Sequence, residues 1–336
     1  MYFVVFLLFV HVNCQLTRLE TNSPPGARNA AMWCSNDQQY VFGGKTLAGR
    51  TNSLWVYSSG QWTQLDDAPD SLSGVIHWTR GNELWMYGGR TTTIITDKLY
   101  KYSNSWSTIT TNGPGPGPRY GSIFWYLDST LYLYGGRSDN HTVQQDMWSL
   151  DRNNNWSLIS TDKGPGPIDD GKAAVDHSTN NVYVYGGENQ QDQIQDNILW
   201  MYNNAVGWTS MQIPLNDGRE DHLMWISGRT LFIVSGKDET GNIDSDWQYS
   251  IESDSWSESD LGLDRWGAAM CQTTDDSVYV HGGRRNGVQL LNDVWTSAKV
   301  QPQTTQLADV MSTLTFVLVL VLGIAFAANK YRINKL

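Results

Sequence analysis

The chain has 336 residues, with 16 Trp, 31 Gly and only 17% charged residues, and its formal net charge is −11. Aromatic side chains and turn formers in this proportion suit many short strands joined by tight turns, in one large domain or two ordinary ones. So acidic a chain lacks the basic footprint that nucleic acid requires, which excludes that partner class.

In chain order, the first element is the apolar run FVVFLLFV at 3–10. It is too short to span a bilayer but suits the core of a leader. Small residues at Val12 and Cys14 place cleavage after Cys14, so residues 1–14 are expected to be a signal peptide. From there to residue 298 one phrase recurs: an aromatic β-type run ending on two glycines, with Ser235 in place of the first glycine in the fifth repeat. It reads YVFGGK at 40–45, WMYGGR at 85–90, YLYGGR at 132–137, YVYGGE at 183–188, FIVSGK at 232–237 and YVHGGR at 279–284. The second glycines fall at Gly44, Gly89, Gly136, Gly187, Gly236 and Gly283, a period of 45 to 51 residues. A Tyr/Trp phrase follows each doublet (LWVY at 54–57, LYKY at 99–102, MWSL at 147–150), and a lone tryptophan lies beyond it at Trp62, Trp106, Trp156, Trp208 and Trp256. Ahead of the doublet, Trp33, Trp78, Trp125 and Trp225 mark a further run.

Each period thus holds four short alternating runs, one four-stranded antiparallel sheet. A single such sheet cannot bury both faces, whereas six set radially bury them against one another. The glycines belong where the second strand ends among crowded neighbours, at a close backbone approach or a positive φ. The sixth repeat lacks a fourth run after VWTS, while residues 15–20 (QLTRLE) resemble a fourth strand without a sheet of its own. They are expected to complete the last sheet and close the ring, which removes an exposed edge. The chain ends in VMSTLTFVLVLVLGIAFAA at 310–328, uncharged and long enough to cross a membrane, followed by Lys330, Arg332 and Lys335. Positive residues flank the cytoplasmic side of a span, so the body is expected outside.

The glycine doublets, the Tyr/Trp phrases, the spaced tryptophans and the repeat length together resemble the kelch superfamily. The resemblance covers residues 15–298 and implies an all-β, six-bladed kelch-type β-propeller of four-stranded blades, closed by the N-terminal strand and followed by one C-terminal transmembrane helix. The expected repeats are 28–66, 74–110, 120–160, 172–213, 221–260 and 266–298 plus 15–20. A linker at 299–309, the span at 310–328 and a cytoplasmic tail at 329–336 follow. The expectation is a single-pass type I membrane protein whose ectodomain is extracellular or lumenal.

The chemistry-bearing residues favour binding over catalysis. Some kelch-like propellers are enzymes, a copper oxidase and sialate mutarotases among them, so a carbohydrate-active enzyme is the alternative. His77, His141, His177, His222 and His281 fall at different registers of different repeats and form no ring of ligands. No nucleophile–base or metal motif occurs, so no catalytic residue, metal or cofactor is assigned. The residue after each doublet is Lys45, Arg90, Arg137, Glu188, Lys237 and Arg284, basic in five of six cases. These positions begin loops on one face, where the inter-blade connections bring Arg28, Arg119, Arg219 and Arg265. In kelch adaptors this face binds acidic peptides through arginines. The resemblance therefore implies a basic-rimmed site of Arg90, Arg137, Arg284, Lys45, Lys237 and Arg119 for an anionic group on a protein or glycan partner. The competing account is an ion pair repeated within each blade, with Asp97, Asp146, Asp196, Asp246 and Asp293 as the acids. Sequons at Asn140 and Asn155 lie in expected turns and are candidate glycan acceptors. Cys34 and Cys271 fall at equivalent depths of the first strands in blades one and six. The hub separation between such strands favours two buried free thiols over a bridge.

Overall fold

The structure is a computed structural model that describes residues 15–19, 22–159, 164–194, 198–214, 217–285, 287 and 289–297. The leader at 1–14, the linker, the span at 310–328, the tail and Asp196 lie outside the described residues. No helix long and apolar enough to cross a membrane occurs among those described.

Six four-stranded antiparallel sheets form the blades. Blade one runs Ala31–Ser35, Gln38–Phe42, Leu54–Ser58 and Gln61–Gln64, and blade two Ile76–Arg80, Glu83–Tyr87, Leu99–Tyr102 and Trp106–Ile109. Blade three is Ile123–Leu127, Thr130–Tyr134, Met147–Leu150 and Trp156–Ile159, and blade four Lys172–Asp176, Asn181–Tyr185, Ile198–Asn203 and Gly207–Gln212. Blade five is Leu223–Ser227, Thr230–Val234, Asp246–Ser250 and Ser255–Ser259. Blade six supplies Ala269–Gln272, Val278–His281 and Val294–Ser297, and its fourth strand is Leu16–Leu19, registered Leu16 to Ser297 and Leu19 to Val294. The first strands lie at the hub, those of blades six, one, two, three, four and five approaching one another in succession.

The core is divided into packets, one between each pair of adjacent blades. Trp33 and Phe42 of blade one pack with Leu84, Met86, Tyr100 and Tyr102 of blade two. Trp125 and Tyr134 of blade three meet Val182, Tyr202 and Trp208 of blade four, and Leu16 joins Trp225, Phe232 and Val280 between blades five and six. The Trp33 indole N–H reaches the Trp78 and Trp85 carbonyls of the next blade at 3.1 and 3.2 Å. One buried indole thus joins apolar area to a polar tie.

The glycine doublet is an inter-blade stitch. The N–H of each second glycine donates to a carbonyl of the following blade at 2.8 Å: Gly44 to Leu72, Gly89 to Arg119, Gly136 to Ile168, Gly187 to Arg219, Gly236 to Arg265 and Gly283 to Ala27. The first glycine lies against that same carbonyl. A Cβ at Gly43, Gly88 or Gly282 would sit 2.5, 2.6 or 2.7 Å from it, and φ at these positions is 66 to 69°. Ser235, in the first position of blade five, holds φ 58° with a side chain present.

The cysteines overturn the expectation of free thiols: Cys34 and Cys271 form a disulfide with Cα atoms 5.5 Å apart. Met32 and Cys34 on the blade-one strand face Ala269 and Cys271 in one packet, so these hub strands approach more closely than the sequence argument allowed. The ring is therefore closed twice, by strand pairing and by a covalent bond. Deleting residues 15–19 leaves blade six with three strands and an open edge. The deletion should lower Tm and promote aggregation, more so when combined with Cys34→Ser. A truncated protein melting with the full chain would show that the strand is dispensable.

Candidate functional site

The inter-blade connections converge on one end of the axis and build concentric rings there. The innermost is Asn29, Gly74, Gly121, Asp170, Asp221 and Gly267, all left-handed at φ 54 to 67°. Their backbones form a closed cycle of hydrogen bonds: Asn29 N–H to Gly267 O, Gly267 to Asp221, Asp221 to Asp170, Asp170 to Gly121, Gly121 to Gly74 and Gly74 to Asn29, at 2.7 to 3.2 Å. Around it, each connection residue bridges the residue following a glycine doublet: Arg28 with Lys45, Ser73 with Arg90, Asp169 with Glu188, Glu220 with Lys237 and Trp266 with Arg284, while Tyr120 pairs with Arg137. Beneath this mouth lies a hub cavity of about 240 Å³, lined in part by Asn29, Phe124, Lys172, Asp221 and Met270.

Position in these rings separates the basic residues into three kinds. Arg119, Arg219 and Arg265 are buried, at 2%, 0% and 1% exposure. Each donates to the carbonyl at the first doublet position of its own blade: Arg119 to Gly135 at 3.0 Å, and Arg219 to Ser235 and Arg265 to Gly282 at 2.8 Å. Arg119 forks onto Asp146 at 2.8 and 3.1 Å, and Arg265 onto Asp293 at 2.7 and 3.0 Å. The acids also take the indole N–H of the Tyr/Trp phrase, Trp148 to Asp146 and Trp295 to Asp293. Arg119 is thus removed from the anion site and belongs to the blade. The repeated Asp does form a structural pair, but with the inter-blade arginine and not with the residue after the glycines. Asp246 instead accepts the Ser235 and Leu261 N–H groups, and Asp97 makes no ion pair among the described residues.

The second kind is neutralised at the rim. Arg137 donates to Asp169 and Glu188 at 2.8 Å and to Asp192 at 3.0 Å, and Lys237 pairs with Glu220. The third kind has no carboxylate within ion-pair distance among the described residues: Arg28, Lys45, Arg50, Arg90 and Arg284, an arc over blades six, one and two. Arg28 and Arg284 rest on Trp266 at 4.8 and 5.4 Å from its ring centre, and Arg90 on Tyr120 at 4.8 Å. Arg50 donates to Ser73 Oγ at 2.8 Å. Burial draws Arg28 below its ordinary pKa; Asp221 and Asp170 oppose the shift and Arg284 and Arg90 reinforce it. Lys45 is lowered chiefly by Arg28, then by burial, Arg50, Arg90 and Arg284.

Sequence reasoning grouped Arg28 with Arg119, Arg219 and Arg265. It stands one register later, level with Tyr120 and Trp266, and so faces the mouth. Arg50, Tyr120 and Trp266 were missed; their only signal is nearness to the doublet or to the connection before the first strand. Asp169, Asp170 and Glu188 bring carboxylate oxygens within 4.8 Å of one another, and Arg137 bonds to two of them, Asp169 and Glu188. His77, part-buried, and His222, fully buried, both line the hub cavity, whereas the buried His281 packs against Trp62. Burial holds His77 and His281 down at about 4. Asn140 is exposed, whereas the Asn155 amide donates to Asp151 at 2.8 Å and its oxygen accepts from Asn112.

Residues 152–306 match the model of the KLHDC2/KLHL20/DRC7 Kelch-repeats domain. The chain is 25% identical over 247 residues to Tip elongation aberrant protein 3 of Schizosaccharomyces pombe, covering 72% of this chain but only 16% of that much longer protein. Among solved structures, one titled "Structure of YjhT" superposes with a TM-score of 0.69 at 14% identity, over 81% of this chain and 95% of its own. At that identity the likeness concerns the fold alone.

Two outcomes follow from the geometry. Arg265→Gln should cost about 3–5 kcal/mol, because it leaves Asp293 without its partner in a buried setting. Arg90→Gln should stay within about 0.5 kcal/mol of wild type in chemical denaturation. The second outcome concerns Asp221, which burial and then Asp170 push up to about 7, with Lys172, Arg28 and Asn29 acting the other way. Its folded value exceeds the unfolded one, so its stabilising share is full below about pH 4 and is lost as pH rises through about 7. Asp221→Asn should flatten the decline in Tm between those limits; an unchanged decline would assign it to other groups.

Proposed function

We propose that this six-bladed propeller is a Kelch-repeat domain acting as a non-catalytic docking module, which takes an acidic partner on the arc of blades six, one and two. One observation carries this reading: among the described residues the post-doublet positions are neutralised at Arg137 and Lys237 but have no carboxylate within ion-pair distance at Lys45, Arg90 and Arg284, nor do the adjacent Arg28 and Arg50. Structural charges in a fold are paired, whereas a recognition surface keeps its charge for the partner. The arc lies within a protein of net charge −11, which disfavours indiscriminate capture of polyanions and confines attraction to the mouth. In this reading the partner is a protein, a glycan being the other class considered. The propeller is held at a membrane by the 310–328 segment with its mouth in an extracellular or lumenal space. The Cys34–Cys271 bridge is consistent with an oxidising compartment. Asn140 is the better placed of the two sequons to receive a glycan.

The carbohydrate-active alternative draws on the hub cavity, where Lys172 and Asp221 line the wall. Turnover of a sugar by purified protein, lost in Asp221→Asn, would favour it over docking.

The docking reading is tested with full-length protein in detergent on an array of Glu- and Asp-rich peptides. Arg28→Gln, Arg90→Gln and Arg284→Gln combined should abolish capture with Tm unchanged, while Arg137→Gln should lower Tm. Undiminished capture by the triple variant would overturn the assignment of this arc.

A further inference from the structure

We propose that the arc recognises a tetrahedral oxyanion ester, a sulfate or phosphate monoester on a side chain of the protein partner, in preference to a carboxylate. The inference rests on the docking reading above and narrows its ligand.

The protein itself shows how it satisfies a carboxylate. At Asp146 and again at Asp293, one guanidinium fork meets both oxygens. A carboxylate presents two oxygens in one plane, and a single arginine matches that edge. The mouth is provided differently. Three guanidiniums belong to three blades: Arg284 to blade six, Arg28 to blade one and Arg90 to blade two. Two of them share the Trp266 ring from 4.8 and 5.4 Å, and the third lies on Tyr120. A guanidinium resting on an aromatic ring spends its face and keeps its in-plane N–H donors. The Arg284 Nε is buried and has no acceptor among the described residues. Arg50 is fixed through its Nε by Ser73, and Lys45 adds an exposed ammonium.

One carboxylate would compensate a fifth of this charge and occupy one fork. An ester with three terminal oxygens arranged about a tetrahedral centre is met from three directions, and a phosphate monoester brings close to two charges near neutral pH. The four arginines are part-buried and Lys45 is exposed. Lys45 and Arg50 stand at the base of the hairpin Lys45–Thr46 and Gly49–Arg50, whose tip carries Leu47 at 87% exposure. In blade two Ile94, at 59% exposure, lies on the loop beyond Arg90. Part-buried guanidiniums flanked by exposed apolar tips suit a single extended side chain on a polypeptide, with neighbouring apolar residues touching Leu47 and Ile94. A planar headgroup layer fits them less well.

The experiment uses the full-length protein and four versions of one peptide library, centred on tyrosine sulfate, tyrosine phosphate, glutamate or tyrosine, read by calorimetry, with heparin as a separate arm. Ester peptides should bind at least tenfold tighter than their glutamate counterparts. Arg284→Lys, which keeps the charge and loses the fork, should remove most of that advantage without changing Tm. Phosphate binding should weaken below about pH 6 as the ester takes up its second proton, while sulfate binding holds. Equal binding of glutamate and ester peptides would overturn this inference and leave the docking reading standing. Failure of every charged peptide would overturn both. Saturable binding of heparin alone would overturn the protein carrier.

Discussion

The hydrogen bond from the second glycine of each doublet to a carbonyl of the next blade is the contact on which the rest of the molecule depends. It recurs at 2.8 Å in all six blades, and it brings the backbone of the preceding residue, a glycine in five blades and Ser235 in the other, against that carbonyl at positive φ. Blade spacing follows from it, and so do the depth of the aromatic packets and the convergence of the connections at one end of the axis. The buried arginines act on the same joint. Arg119, Arg219 and Arg265 each cap the carbonyl at the first doublet position of their blade, so backbone crowding and buried charge are satisfied together.

Once that joint is fixed, the mouth is a place where sequence drift has chemical meaning. Each ring position is occupied by six residues of common backbone geometry, so what distinguishes the blades is side-chain chemistry. Blade four carries Asp169, Asp170 and Glu188, and blade one carries Arg28, Asn29 and Lys45. The scaffold therefore holds donors and acceptors on rigid elements at known angles, the condition under which charge confers specificity more than raw affinity.

The fold was legible because its governing constraint is local. A backbone collision writes itself into the chain as GG, and its period counts the blades; the strand at 16–19 was found by the same counting. The site was less legible for a physical reason. Arg28 and Arg119 look alike in sequence, yet one register of irregular connection sends one to solvent above Trp266 and the other into the blade to meet Asp146. Loop registers cannot be counted as strand registers can, because no alternation of burial fixes them. The disulfide was misjudged for a related reason: it depends on the distance between two hub strands, a property of six blades packed together and of no single repeat.

The seam in blade six has a consequence for synthesis. The strand Leu16–Leu19 is made long before its partner Val294–Ser297, and Cys34 awaits a cysteine 237 positions later. During elongation, blades can be added one upon another from the second joint onward, but the opening strand has nowhere to go until the final hairpin emerges. Quality control of this protein is thereby concentrated in one late event. A chain stalled anywhere before its last repeat displays an unpaired strand and a reduced thiol, both of the kind that chaperones and thiol oxidoreductases engage.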